Sequence, residues 1–220
     1  MALVMFDLDG TLLDTAGEIA ESTNRTLADY QKPLVSAQQV RDWIGHGTGW
    51  LMRRAWTEVA GEPNPDQWPA VMSTFIQHYY DCAGTDSQPY PDVLATLAEL
   101  KRLGIKRAVV TNKESRFTTR ILERHGLSTE FDLVISGDTY PVKKPDPTVI
   151  YNCIRDLNER SADSLFVGDS SIDIATAKAA GVTCWAVPYG YNMGEPIETA
   201  VPDRIVPTIK DVPTYFKGLA

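Results

Sequence analysis

Residues 2–11 read Ala-Leu-Val-Met-Phe-Asp-Leu-Asp-Gly-Thr, an apolar run that ends in two aspartates one residue apart. Successive side chains of a strand point to opposite faces, so Asp7 and Asp9 start on the same side and Leu8 points away. Two carboxylates about 4 Å apart repel each other by roughly 4 kcal/mol when they are partly screened. A divalent cation removes that repulsion, and hard cations such as Mg²⁺ take oxygen ligands. The segment therefore predicts a buried strand that carries two carboxylates to a cation site.

The composition fits one large domain, or one domain with a sizeable insertion. The chain has 220 residues, of which 43% are hydrophobic, so it can build a substantial core. Its formal net charge of −8 disfavours nucleic acid or an anionic membrane as a partner. The apolar runs are too short for a signal segment or a membrane span, which predicts a cytoplasmic protein. Cys82, Cys153 and Cys184 lack the spacing of a zinc site or a disulfide framework, so we expect buried thiols.

Alternating strand and helix patterns predict an α/β fold. Buried strands are expected at 2–6, 107–111, 132–136, 164–168 and 183–187, with a short edge strand at 204–206. Apolar residues at helical spacing separate these runs, and Gly104, Gly126 and Gly181 stand where helices would end. The order predicts a Rossmann-like core, a parallel sheet with helices on both faces.

Residues 15–83 do not continue this alternation of strand and helix patterns. They contain no good strand pattern, but several stretches of helical apolar spacing. Ser36 and Gln39 form a capping box before one of these stretches. We predict a small α-helical cap at 15–83, inserted into a core made of 1–14 and 84–220.

Polar clusters follow four of the expected strands. In a parallel sheet the carboxyl ends of the strands share one edge, and ligands bind outside it. Taken singly, each cluster has a structural explanation, such as a turn, a solvated lysine pair or helix N-terminal acids. Their coincidence at one edge predicts a single site. The clusters are Asp7 with Asp9, the run Thr111-Asn112-Lys113, the run Lys143-Lys144-Pro145, and Asp169 with Asp173.

The order and spacing of these clusters resemble the four-motif signature of haloacid dehalogenase-superfamily phosphatases along almost the whole chain. The helical insert likewise resembles the small cap of that superfamily. The resemblance implies an aspartyl-phosphate mechanism in which Asp7 is the nucleophile and Asp9 the general acid and base. Thr111 would hydrogen-bond a phosphoryl oxygen. Lys144, which directly precedes Pro145 as in the family pattern, would neutralise charge on Asp7 and on the phosphoryl group.

The same resemblance implies Mg²⁺ as the cofactor. Its expected ligands are Asp7, Asp169 and the backbone carbonyl of Asp9. Asp173 would hold a metal-bound water or a ligand, and as a residue of the first helical turn it can also cap its helix.

Two further stretches, 43–55 and 190–195, resemble bacterial phosphoglycolate phosphatases. The resemblance implies a small phosphorylated metabolite as substrate, with the cap supplying a donor or a cation for the carboxylate of phosphoglycolate. Arg54 matches the resemblance, whereas the adjacent Arg53 cannot face the same site on a helix. Backbone N–H groups at Gly45 and Gly47, the Asn112 backbone and the Lys113 side chain are the other expected substrate contacts. A monomer or a homodimer is compatible with the sequence.

Other activities stay open at this point. A phosphatase for another small ester, such as a sugar phosphate, would share every motif. Phosphoryl transfer like that of β-phosphoglucomutase would yield an isomer instead of free phosphate. A dehalogenase would not need the acid and base at Asp9. A non-catalytic regulatory protein could keep the fold, but would have no need for the whole signature.

Overall fold

The computed structural model describes residues 2–217. Residue 1 and residues 218–220, which the sequence assigns to the core, lie outside the described residues. The strands are β1 (Leu3–Phe6), β2 (Leu13–Asp14), β3 (Gln88–Pro89), β4 (Lys106–Val110), β5 (Leu133–Ile135), β6 (Ser164–Gly168), β7 (Thr183–Ala186) and β8 (Arg204–Ile205).

Six of these strands form one parallel sheet in the order β5-β4-β1-β6-β7-β8. They are the six runs that the sequence predicts, each within about a residue at its ends. The predicted α/β parallel-sheet fold is therefore confirmed. Strand β1 lies at the centre, between β4 and β6, which brings the residues after these three strands to the middle of one edge.

The central strand is buried on both faces. Val4 and Phe6 join an apolar cluster on one side of the sheet, and Leu3 and Met5 join a second cluster on the other. All four residues are fully buried. This alternation is the reason that β1 reads as a continuous apolar run instead of an alternating one.

Helices cover both faces of the sheet and build the insert. They are α1 (Ala16–Asp29), α2 (Ala37–Asp42), α3 (Thr48–Ala60), α4 (Trp68–Cys82), α5 (Val93–Arg102), α6 (Ser115–Arg124), α7 (Thr148–Asp156), α8 (Ser171–Ala180) and α9 (Val212–Lys217). Helices α5 and α6 contribute Leu97 and Ile121 to one apolar cluster, while α7 and α8 contribute Ile150 and Ala177 to the other. The core is thus a sheet between two helical layers.

Helices α1 to α4 follow one another in the stretch expected to be the cap. Helix α1 packs along α4, and the apolar cluster of the insert is continuous with that of the core. The predicted capping box is present, since the Ser36 side chain accepts a hydrogen bond from the N–H of Gln39. A two-residue antiparallel ribbon, β2 with β3, joins the two connections between insert and core. This ribbon is absent from the sequence prediction.

Glu18, in the first helix of the insert, contacts the segment through which the chain returns from the insert to the core. Its Oε2 accepts hydrogen bonds from the N–H groups of Gly84 at 2.9 Å and Ser87 at 3.2 Å. The Ser87 hydroxyl in turn lies 2.9 Å from Nε2 of His125, at the end of α6 in the core. Glu18 is buried, and burial raises the pKa of its carboxyl, while the nearby charge of Lys113 opposes the rise. Glu18 therefore joins the first helix of the insert to the segment that returns the chain to the core, and Ser87 joins that segment to the end of α6.

None of the helices in the described part of the chain is long and apolar enough to cross a membrane.

Candidate active site

The predicted clusters meet in a cleft between the carboxyl edge of the sheet and the cap. Asp7 follows β1, Thr111 follows β4 and Asp169 follows β6. The cap closes the other side with parts of α1, the loop before α3, α3 itself and α4. The lining consists of Asp7, Asp9, Ile19, Ile44, Gly45, Gly47, Thr48, Leu51, Tyr79, Thr111, Asn112, Lys113, Asp169, Ser170 and Tyr191.

Asp7 is held at the centre of the edge by the strand that precedes it. Its N–H donates to the carbonyl of Val167 in β6, which continues the sheet ladder by one residue. Oδ1 accepts from the N–H of Leu8 at 2.7 Å and lies 2.9 Å from Nζ of Lys144. Burial raises the pKa of Asp7 to about 7, because one ammonium does not offset the lost hydration and the neighbouring carboxylates.

Asp169 is fixed by two hydrogen bonds and by close packing. Oδ1 accepts from the Thr11 hydroxyl at 2.8 Å, and Oδ2 accepts from the N–H of Tyr191 at 2.8 Å. A Cβ on Gly10 would lie 2.3 Å from Asp169 Oδ2, and one on Gly190 would lie 2.2 Å from Asp169 Cβ. Only glycine lets both loops approach so closely. Burial, together with the charges of Asp173 and Asp7, raises the pKa of Asp169 well above its ordinary value.

Asp173 caps the start of α8, as predicted, and also forms an ion pair with Lys144. Oδ2 accepts hydrogen bonds from the N–H groups of Asp169 and Ser170 at 3.2 and 3.1 Å and from the Ser170 hydroxyl at 2.7 Å, at the start of α8. Oδ1 lies 2.7 Å from Nζ of Lys144. Lys144 is therefore shared between Asp7 and Asp173, and these two ion pairs raise its pKa above the ordinary lysine value.

Three carboxylates form a donor set that fits a hard divalent cation. One oxygen each from Asp7, Asp169 and Asp173 lies within 4.8 Å of the others, and all three residues are buried or nearly so. The raised pKa values of Asp7 and Asp169 have the same cause, a lack of positive charge beside buried carboxylates. An all-oxygen set with this deficit suits Mg²⁺ better than a softer metal. The side chain of Asp9 is not part of the set.

Asp9 instead points to the cap side of the cleft. Its Oδ1 accepts from the Thr15 hydroxyl at 2.6 Å and lies 2.5 Å from Nζ of Lys113. Lys113 is buried and also donates to the hydroxyl of Tyr79, a residue of α4. The two aspartates of the opening motif thus have different surroundings, Asp7 with Lys144 and Asp9 with Lys113.

Thr111 and Asn112 follow β4, and Asn112 contacts the loop that contains Gly45 and the loop that contains Lys144. The Thr111 hydroxyl accepts from the N–H of Lys113 at 3.3 Å and lines the cleft. The Asn112 side chain donates to the carbonyls of Gly45 at 3.0 Å and Lys144 at 2.9 Å. Asn112 therefore connects the cap loop to the loop that carries Lys144, a positioning role that the sequence does not reveal.

The expected cap contacts divide into two groups. Gly45 and Gly47 line the cleft, with φ of 135° and 92°, a backbone region in which a side chain is strained. Arg54 is not among the lining residues. Its guanidinium lies 3.2 Å from Glu58 and 5.3 Å from the ring centroid of Trp43. The structure thus brings together all the predicted site residues except Arg54.

Several residues that line or support the cleft are missing from the sequence prediction. Tyr79 reads as a core residue of an amphipathic helix. Thr11 enters the prediction only as part of the opening motif, and Thr15 only as the first residue of the expected insert. Tyr191 lies in a stretch noted only for its resemblance, yet its hydroxyl lies 2.8 Å from both Asp14 and the N–H of Thr15. No spacing rule joins positions 9 and 113 or 15 and 191, so these contacts become visible only in three dimensions.

Fold and site together define an α/β protein of Rossmann-like topology, with helices inserted after the first strand and an aspartate cluster at the carboxyl edge of its sheet. The model of the haloacid dehalogenase-like hydrolase family matches residues 4–187. The chain belongs to this family, as the four motifs predict.

Named relatives and a solved structure are similar to this chain over almost its whole length. A phosphoglycolate phosphatase of Vibrio cholerae is 41% identical over 92% of this chain and 91% of its own length. Phosphoglycolate phosphatase 1 of Pseudomonas aeruginosa is 39% identical over 96% of this chain and 78% of its own. A crystal structure from Haemophilus somnus, described as a predicted phosphoglycolate phosphatase, superposes with a TM-score of 0.92 at 32% identity, covering 98% of this chain and 97% of the other. The expected resemblance to this group is confirmed.

Proposed function

We propose that the protein is a Mg²⁺-dependent phosphoglycolate phosphatase that works through a phosphorylated aspartate. The observation that carries the proposal is the buried Asp7, 2.9 Å from Lys144 and within 4.8 Å of two more carboxylates at the mouth of a small cleft. The names of the relatives support the choice of substrate.

The nucleophile in this proposal is Asp7. Its two close contacts, with Leu8 and Lys144, both involve Oδ1, so Oδ2 is the oxygen available for attack on phosphorus. Attack forms the bond from Oδ2 to phosphorus and breaks the bond from phosphorus to the ester oxygen. Hydrolysis of the resulting aspartyl-phosphate then returns Asp7 and inorganic phosphate. Lys144 and the Thr111 hydroxyl stabilise the charge on the phosphoryl oxygens.

The residues that would hold Mg²⁺ are Asp7, Asp169 and the backbone carbonyl of Asp9, with Asp173 binding through water. When bound, the ion supplies positive charge that lowers the repulsion between an anionic nucleophile and a dianionic ester. Contacts within the chain already fix two of these ligands in position. Thr11 and Tyr191 donate hydrogen bonds to Asp169, and Lys144 forms an ion pair with Asp7.

Asp9 is the proposed general acid and base. It gives a proton to the glycolate oxygen as the ester bond breaks, and it later takes a proton from the water that attacks the aspartyl-phosphate. The Thr15 hydroxyl and Lys113 both contact Oδ1 of Asp9, so Oδ2 is the oxygen that we assign to proton transfer.

A panel of small phosphomonoesters, assayed with Mg²⁺ and with EDTA, tests the proposal. We expect release of phosphate from phosphoglycolate to exceed that from glucose 6-phosphate and p-nitrophenyl phosphate, and to stop in EDTA. Equal turnover of all esters would reject phosphoglycolate as the substrate. An isomerised sugar phosphate with no free phosphate would indicate phosphoryl transfer instead.

We also propose that the protein acts in the cytoplasm, as a monomer or a homodimer. The three cysteines are free and buried, which suits a reducing compartment. Size-exclusion chromatography with light scattering distinguishes the two assembly states.

A further inference from the structure

Lys113 is a buried lysine to which the proposed phosphoryl transfer assigns only the positioning of Asp9. Only 3% of the residue is exposed, and its Nζ lies 2.5 Å from Oδ1 of Asp9. Among the described residues that line the cleft, it is the one with a cationic side chain. Because a buried ammonium loses several kcal/mol of hydration, such a group is retained when it has a specific anionic partner.

The covalent length of phosphoglycolate determines where its carboxylate must lie. One methylene carbon separates the ester oxygen from the carboxylate carbon, so with bonds of about 1.5 Å the carboxylate oxygens lie within roughly 4 Å of the ester oxygen. A general acid must approach that same ester oxygen to about 3 Å. The cation that binds the carboxylate therefore has to lie directly beside the acid, Asp9. Lys113 occupies this position.

Other cations near the cleft are engaged elsewhere. Arg54 pairs with Glu58 and lies over Trp43, outside the cleft lining. Lys143 donates to the backbone carbonyl of His46 at 2.6 Å and is exposed. Lys144 is shared by Asp7 and Asp173, on the nucleophile's side of the site.

Tyr79 fixes the position of the Lys113 ammonium. Its hydroxyl oxygen accepts a hydrogen bond from Nζ, and its ring packs on Phe117 with the centroids 4.4 Å apart. Tyr79 is fully buried, and burial with the charge of Asp9 raises its pKa well above the ordinary value, so the hydroxyl stays neutral. Tyr79 belongs to α4 of the cap and Lys113 follows β4 of the core, so this arrangement forms only when the cap is in place.

We propose that Lys113 binds the carboxylate of the substrate and that Tyr79 is its positioning residue. The pair would select phosphomonoesters that carry a carboxylate on the carbon next to the ester oxygen. This inference rests on the proposed function and adds the residue that sets its specificity.

The test compares two substrates of equal length, phosphoglycolate and ethyl phosphate, through the ratio of their kcat/KM values. Lys113→Met also removes a partner of Asp9, so both rates should fall, but the ratio isolates the carboxylate. We expect the ratio to fall about tenfold or more, as for loss of a hydrogen bond to a charged group. Tyr79→Phe should lower the ratio by a smaller factor, and Arg54→Met should leave it unchanged.

An unchanged ratio in Lys113→Met, or a lost preference in Arg54→Met, would overturn the inference while leaving the phosphatase proposal intact. A wild-type ratio near one would reject the proposed substrate itself, and the inference with it. If Lys113→Met does not fold, a crystal structure of Asp7→Asn with bound phosphoglycolate tests whether Lys113 contacts the carboxylate of the substrate. We expect Nζ within about 3 Å of a carboxylate oxygen. A carboxylate bound by other groups, out of reach of Nζ, would refute the assignment.

Discussion

The ammonium group of Lys144 lies 2.9 Å from Oδ1 of Asp7, in a site where nearly all of both side chains is buried. The same ammonium lies 2.7 Å from Asp173. One cation thus pairs with two carboxylates, while a third, Asp169, accepts hydrogen bonds only from neutral donors within residues 2–217. The site is built with a deficit of positive charge, and both the proposed metal and the pH behaviour of the protein follow from it.

Replacing Lys144 with methionine should cost both stability and activity. The change leaves Asp7 and Asp173 buried without their cation, and breaking a buried pair in this way destabilises by roughly 3–5 kcal/mol. Phosphatase activity should fall about a hundredfold or more, as for loss of a group that stabilises developing charge. Urea denaturation and steady-state kinetics measure the two effects. Lys143→Met is the matched control, because the neighbouring lysine is exposed and bonds only a backbone carbonyl. Equal losses in both variants would mean that the Lys144 ion pairs are not the cause.

Mg²⁺ should raise the melting temperature of the protein. A ligand that binds only the folded state stabilises it by about 2.7 kcal/mol at a hundred times its dissociation constant. Differential scanning fluorimetry with MgCl₂ measures the shift, and NaCl of equal ionic strength is the control. Asp169→Asn should lose most of the shift. A shift that persists in this variant would place the ion elsewhere.

Without metal, the contribution of Asp7 to stability should fall as the pH rises from about 4 to about 7. Burial raises the pKa of Asp7 from 3.8 to about 7, so the folded state binds more protons than the unfolded state in that window. Unfolding then becomes easier with rising pH, because the slope of stability follows the protons bound by the unfolded state minus those bound by the folded state. Asp169 shifts in the same direction. Urea denaturation in EDTA at pH 5 and pH 7.5 measures the difference. In Asp7→Asn the stability at pH 7.5 relative to pH 5 should be higher than in the wild type, and the same pH dependence in both proteins would contradict the account.

Glu18→Ala should loosen the connection between cap and core. The substitution leaves the N–H groups of Gly84 and Ser87 without their acceptor, at roughly 1–3 kcal/mol for a buried unsatisfied group. We expect at least about 2 kcal/mol of lost stability in total, measured by urea denaturation. Glu21→Ala, on the same helix, removes only an exposed pair with Arg25 and should cost less than about 0.5 kcal/mol. Similar costs for the two variants would show that Glu18 has no special role.

The sheet and the clustering of polar residues at its carboxyl edge could be predicted from the sequence because their signals are local. Each strand of the sheet is a short apolar run, and the residue that follows it falls at the shared edge by topology alone. The ribbon of β2 with β3 could not be predicted, since two-residue strands carry no periodicity and pair across more than seventy positions. Its existence follows from the path of the chain into and out of the cap.

Side-chain partners in the site were harder to predict than its residues. The sequence groups Asp9 with Asp7, and in the structure Asp9 is paired with Lys113 while its side chain stands apart from the carboxylate cluster. Tyr79 reads as one more apolar position of a helix, and its hydroxyl instead contacts Lys113. Arg54, the cationic candidate suggested by resemblance, bonds along its own helix to Glu58. Such pairings depend on how the cap packs on the core, which no local pattern encodes.

The central claim is that Asp7 attacks phosphoglycolate, and the direct test is phosphate release from this ester in Mg²⁺ by the wild-type protein and by Asp7→Asn. The amide has nearly the shape of the carboxylate but is a poor nucleophile. We predict steady turnover by the wild type and a loss of at least about a thousandfold in the variant, with its circular dichroism unchanged. A folded Asp7→Asn variant that keeps a tenth or more of the wild-type rate would contradict the account.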